Sequence, residues 1–164
     1  VEAGDYVQSR RVGDATITAM TEGVMPWRPE LTAAEEEWRQ AIETGADGSV
    51  PIDTHVLLVQ SGDATILIDA GLDDPGSSWE ERWLAEWPGS TRTPGITAGL
   101  ASLGVRPEDI THILMTHAHF DHFVGLTVER NGELVPRYPS ARVLLGRADW
   151  ENNPEREDST SDLA

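Results

Sequence analysis

Apolar and polar positions along this chain fall into short runs separated by glycine, proline and aspartate. Ala15-Thr16-Ile17-Thr18-Ala19-Met20-Thr21 alternates small or apolar with polar residues and predicts a first strand, entered through a Gly13-Asp14 turn. From Gly23 to Pro29 the alternation lapses, and Pro26 and Pro29, each with φ fixed, mark a loop. Thr32 and Glu35 have capping-box spacing, so a helix is expected through Ala41-Ile42-Glu43 to about Gly45. Two apolar runs at 55–60 and 65–69, linked by Ser61-Gly62-Asp63, predict a hairpin, and their unbroken character predicts burial on both faces. Ser78 with Glu81 forms a second capping box whose helix Pro88 stops, and Trp79, Trp83 and Trp87 recur every four residues along one face. Such a stripe predicts core packing or a subunit contact. Thr93-Pro94 opens a third helix with Pro at N1, and Gly104 closes it. The run Ile113-Leu114-Met115 reads as a short buried strand. After a short helical or irregular piece at 125–128 and a turn at Asn131-Gly132, Ala141–Gly146 is expected to be a strand, followed by a helix from Arg147.

The buried strand at 113–115 leads directly into Thr116-His117-Ala118-His119-Phe120-Asp121-His122-Phe123-Val124-Gly125. Three of the five histidines and one aspartate thus stand within six residues, on the loop after a strand, where open α/β sheets place their chemistry. Imidazole and carboxylate together suit zinc, and also iron or manganese. His117 and His119 can aim at one metal, and Asp121 and His122 at a second. Two metals sharing a water generate hydroxide near neutral pH and clamp an oxyanion. His112 lies inside the strand and is expected to be a hydrogen-bonded core or face residue, while His55 starts a strand that could lie near the metal loop; neither is expected to be a ligand.

This stretch resembles the signature motif of the metallo-β-lactamase superfamily. Two flanking segments share the resemblance: Thr65-Ile66-Leu67-Ile68-Asp69-Ala70-Gly71-Leu72, with its strand ending in Asp-x-Gly, and the approach Leu103-Gly104-Val105-Arg106-Pro107-Glu108-Asp109-Ile110-Thr111-His112. It covers residues 54–150, with one departure at Val124, where members commonly carry glycine. From residue type alone Asp69 is either a turn residue or a supporting one. The resemblance implies support, with Asp69 bonded to the ligand loop rather than to metal, as metal-bound histidines require to hold their tautomer. It further implies an αββα sandwich and two divalent metal ions, zinc foremost. The expected function is a hydrolase using a metal-bridging hydroxide on a small-molecule lactone, ester or phosphotriester, with Asp121 also orienting the nucleophile. The flanking motifs look most like the lactonase and organophosphate-hydrolase branch. Alternatives within the same fold are a di-iron redox domain coupled to a flavin-binding partner, and a non-catalytic half-domain. No substrate-contacting residue is singled out.

No histidine follows His122. Two protein ligands per metal fall short of the three that a catalytic zinc generally has. The 164 residues are therefore expected to form a single, partial domain, the first half of the sandwich with an incomplete site. The inner face of its sheet would seek cover from a second copy or from a chain carrying the missing half. The polar stretch 151–164 reads as a disordered or truncated end.

Composition changes this picture at the margins. Formal net charge is −17, from 12 basic and 29 acidic residues, which argues against nucleic acid and anionic membrane as partners. The absence of cysteine excludes thiolate ligands and disulfides. No apolar run approaches a membrane span. The opening Val1-Glu2-Ala3-Gly4-Asp5 has no signal-peptide pattern, from which a cytoplasmic location is the expectation.

Overall fold

The opening hairpin is longer than the alternation predicts. In the computed structural model, which describes residues 6–29 and 31–152, β1 (Val7–Val12) pairs antiparallel with β2 (Ala15–Trp27). β2 continues through the stretch expected to be a loop and pairs along its length with β3 (Val50–Ser61), five residues longer at its start than expected. Pro26 lies opposite Pro51 near the end of this ladder, where neither residue has an N–H to donate, so the prolines face each other and the strand persists. The pairing shifts register between Thr21 and Gly23, which leaves Glu22 on a β-bulge.

β4 (Ala64–Ile68) returns antiparallel to β3, while β6 (His112–Leu114) lies parallel to β4 and β9 (Arg142–Leu144) parallel to β6. The two-residue β5 (Thr91–Arg92) pairs with β2 beside the bulge, completing a seven-stranded sheet of order β1-β2-β3-β4-β6-β9 with β5 off this path. β7 (Thr127–Arg130) and β8 (Glu133–Pro136) form a separate hairpin across Asn131-Gly132.

The helices follow burial more closely than capping signals. α1 (Glu35–Trp38) is one turn, its N-cap is Ala34 without a side-chain bond, and none of its residues is buried. The expected helix over 32–45 is thus corrected: with no apolar face against the sheet, a short isolated helix has little to hold it. α2 (Ser78–Glu86) is capped by Ser77, one residue earlier than expected, whose hydroxyl accepts from Glu80 N at 3.3 Å. α3 (Gly95–Ser102) has Pro94 as its N-cap rather than at N1, and Thr93 Oγ1 accepts from Gly95 N at 3.2 Å. α4 (Phe120–Phe123) and α5 (Arg147–Asn152) are short.

The core lies on one face of the sheet. Met20, Val56, Leu58, Leu67 and Ile113 are completely buried there, with Ile96 and Leu100 of α3 in the same cluster. Each such side chain contributes roughly 1.5–3 kcal/mol on burial, which makes this cluster the anchor of the sheet. Gly99 lets α3 approach, since a Cβ there would stand 3.0 Å from Met20 Sδ. On the opposite face the register aligns Ala19, Leu57, Ile68 and Leu114 in one row across four strands, all only half-buried. Burial of the hairpin on both faces is therefore corrected to burial on one, because helices cover only that side among the described residues. A sheet with helices on one side is one half of the αββα arrangement. The expectations for the first five residues, and for 151–164 from residue 153 onward, lie outside the described residues.

Candidate metal centre

Parallel pairing of β4 and β6 brings their C-terminal ends to the same edge of the sheet, so the residues that follow each strand meet. Asp69 follows β4 and Thr116-His117 follows β6. Asp69 N donates to Leu114 O at 2.9 Å, and the next two N–H groups, of Ala70 and Gly71, both donate to His122 O at 2.8 and 3.1 Å. Gly125 N then donates to Gly71 O at 2.8 Å, and a Cβ on Gly125 would overlap Ala70 O. The 69–72 turn and the histidine loop are thereby held together by backbone as well as side chain.

The Asp69 carboxylate faces the loop. Oδ1 accepts from Thr116 N at 2.7 Å, and Oδ2 from Thr116 Oγ1 at 2.8 Å and from Nδ1 of His122 at 2.8 Å. Asp69 holds this pose with φ of 63°, a left-handed conformation rare for a non-glycine residue. Burial opposes its charge, but the bonds from His122 and Thr116 outweigh burial and hold its carboxyl below the usual carboxylate range. The other nitrogen of His122, Nε2, lies 3.4 Å from Asp121 Oδ2. Burial disfavours the imidazolium, yet bonding to Asp121 and Asp69 prevails and pushes His122 up to about 9. Asp121 is lowered despite its own burial because His122 neutralises it.

His117 and His119 make the second pair. His117 Nε2 and His119 Nδ1 stand 3.0 Å apart, and Thr116 Oγ1 lies 3.0 Å from His117 Nδ1. Two nitrogens on one tetrahedral zinc are roughly 3.3 Å apart, given bonds of ~2.0–2.1 Å, so a small adjustment would admit a cation between these rings. The donor set is one of neutral nitrogen and carboxylate oxygen, and it fits borderline divalent metals. Burial, together with the neighbouring His122 and His119, lowers His117 below the ordinary imidazole range, against the opposing pull of Asp121 and Asp69. Among the described residues no three His, Asp or Glu side chains form a ready metal cage. The His117 and His122 rings also approach each other, with centroids 4.0 Å apart, so the two donor contacts adjoin.

The four motif residues expected as ligands are thus gathered, with Asp69 against His122. His55 and His112 are not brought to the cluster: His55 is exposed on β3, bonded to Thr21 Oγ1, and His112 bonds Thr111 Oγ1 on β6. Sequence reasoning missed Thr116, whose only signal was its position directly before His117. It also missed Arg137, a buried residue whose guanidinium ties Gly125 O at 3.0 Å, Asp74 at 2.7 Å and Asp73 into one network under the loop. The tryptophan stripe divides. Trp79 and Trp83 line a cavity of about 190 Å³ beside the loop, with Leu72, Arg92, Phe120 and Val124. Trp87 caps the end of α2 away from it.

Comparisons with known proteins match a span that includes the histidine loop. The family model described as "Metallo-beta-lactamase superfamily" matches residues 50–153. A probable metallo-hydrolase of Mycobacterium tuberculosis is 27% identical over 117 residues, covering 62% of this chain and 37% of the relative. The N-acyl homoserine lactonase AttM of Azorhizobium caulinodans is 25% identical over 112 residues, covering 65% and 38%. Among solved structures, a probable metal-dependent hydrolase from Staphylococcus aureus superposes with a TM-score of 0.75 at 25% identity, over 94% of this chain and 56% of that one. AidC, a dizinc quorum-quenching lactonase, shares the fold with a TM-score of 0.61 at 20% identity, over 92% of this chain and 49% of its own. The chain thus spans under two fifths of the length of these curated relatives and about half of the solved structures.

Proposed function

The chain belongs to the metallo-β-lactamase superfamily, and from that premise we propose that it carries the ligand loop of a dinuclear metal-dependent hydrolase for a lactone, ester or phosphotriester. The observation that carries the reading is the line Asp69–His122–Asp121, in which one imidazole is bonded at Nδ1 by a carboxylate and faces a second carboxylate at Nε2. A histidine oriented in this way offers Nε2 to a metal in one tautomer. The metallo-hydrolase and lactonase relatives support a hydrolase as the general class.

In this reading His117 and His119 hold one divalent cation, zinc foremost, and Asp121 with His122 holds a second. Cations bound there would supply acidification of a water and charge compensation at an attacked carbonyl or phosphoryl oxygen. The residues of this chain do the rest. Asp69 keeps the His122 proton on Nδ1, Thr116 braces both His117 and Asp69, and the carboxylate of Asp121 orients the attacking water. Each pair leaves room for further ligands, and the longer relatives motivate their supply from residues beyond the described ones.

The test is metal content and turnover of the full-length protein on lactone, aryl-ester and phosphotriester substrates. Close to two metals per chain, and loss of turnover on chelation with recovery on zinc addition, are expected. A metal-free preparation with full activity overturns the proposal.

A further inference from the structure

We propose that Glu22 is a positioning residue for the histidine loop: from the β2 bulge its carboxyl group holds the 69–72 turn, and through that turn it sets His122. The inference rests on the functional reading above. Glu22 is 1% exposed, a carboxyl placed in the core of a sheet otherwise lined by Met20, Val56 and Leu58. The bulge frees it from the β2–β3 ladder and aims it across the sheet, a role bulges often have beside functional sites. Both of its oxygens lie 3.0 Å from Leu72 N, and its own carbonyl accepts from Thr93 N at 2.8 Å, which pins the bulge in turn.

Leu72 N is the last of four successive donors in the turn. The preceding three are bonded to Leu114 O and His122 O, so Glu22 closes the set from below while His122 closes it from above. Gly71, at φ of 71°, is shaped by the same contact, since a Cβ there would overlap the Glu22 carboxyl oxygens. Removing the acceptor leaves a buried N–H unsatisfied, and the turn can then relax by moving Asp69 and the carbonyl of His122. The acceptor, not the negative charge, is what this geometry uses. Arg92 and Arg137 provide positive charge nearby without bonding the carboxyl group among the described residues.

Three variants of the full-length protein separate acceptor from carboxyl group: Glu22→Gln keeps the acceptor at its place without a carboxyl group, Glu22→Asp keeps a carboxyl group but withdraws the acceptor, and Glu22→Leu removes both. Zinc affinity is measured by competition with a chromophoric chelator, alongside the visible spectrum of the cobalt-loaded proteins. Glu22→Gln should bind within a few-fold of wild type with an unchanged cobalt spectrum. Glu22→Asp and Glu22→Leu should bind ~10–100-fold more weakly, the usual range for outer partners of metal ligands, with a shifted spectrum. If Glu22→Leu does not fold, the Gln and Asp variants decide between the acceptor's position and the carboxyl group itself. A Gln variant that loses metal, or an Asp variant that binds like wild type, overturns the inference. A wild-type protein that takes up no metal overturns the functional reading and this inference with it.

Discussion

Asp69 and His122 are joined by a 2.8 Å hydrogen bond although 53 residues separate them in the chain. The bond exists because two parallel strands end at the same edge, and it commits His122 Nδ1 so that only Nε2 faces Asp121. Asp69→Ala leaves every motif nitrogen and oxygen in the protein but releases the ring. Zinc affinity should fall ~10–100-fold, read by chelator competition. Unchanged metal content, activity and stability would reduce Asp69 to a turn residue.

Gly125 offers a test of the backbone seam between turn and loop. Its Cα faces Ala70 O, and the added methyl of Gly125→Ala has no flexible neighbour to push aside. The variant should lose roughly 1–3 kcal/mol of stability. For a domain of this size that lowers the thermal midpoint by roughly 2–4 °C per kcal/mol. A midpoint equal to wild type would show that the seam is looser than its 2.8 Å bond from Gly125 N to Gly71 O implies.

Glu22 also predicts a pH dependence. Burial raises its carboxyl to about 8, against the opposing effects of the Leu72 N–H bond and of Arg92 and Arg137, with Asp121 adding to the rise. The folded protein therefore binds the proton more tightly than the unfolded chain. That stability is fully present below the unfolded value of about 4.5 and is lost as pH rises through about 8. Glu22→Gln has no such proton, so its denaturation midpoint should fall less than that of wild type between those values. His122, pushed up to about 9, loses stability in the same direction in both metal-free proteins, so the difference between them isolates Glu22. Parallel pH profiles for the two proteins would contradict a buried, proton-binding carboxyl.

The histidine loop was legible as a cluster because its information is local: an apolar strand, then three histidines and an aspartate within six residues. Asp69 was legible only through resemblance, since its role depends on β4 lying beside β6, and residue spacing carries no signal of that pairing. The helix expected over 32–45 failed for the converse reason. Thr32 and Glu35 have capping spacing, but nothing buries the helix face, and burial decides. The runs around Leu57 and Ile66 are apolar throughout, which told that they are strands but not which face α3 would cover. Glu22 continues the alternation of Thr18 and Met20 toward the core, yet a carboxyl at that position reads as an exception until the bulge and Leu72 N are seen together.

The proposed two-metal centre fixes which donors must act together. His117 and His119 approach to 3.0 Å and Asp121 and His122 to 3.4 Å, while the His117 and His122 rings adjoin with centroids 4.0 Å apart; the proposed centre assigns the first two donors to one cation and the last two to the other, as two units. Within a unit, losing one ligand already strips most of the grip on that metal, and losing the second adds little. Across units the effects fall on different metals. Accordingly His117→Ala, His119→Ala and their double variant should each lack about one metal equivalent, and so should Asp121→Ala, His122→Ala and their double variant. His119→Ala with Asp121→Ala should lack both. Hydrolytic rate should fall at least ~100-fold in every case, because nucleophile activation and oxyanion stabilisation in a two-metal site depend on both cations. Elemental analysis of the purified variants decides the point. If the His117–Asp121 double variant retains as much metal as either single variant while the His117–His119 double variant loses both, the donors are paired differently and the two-unit centre is wrong.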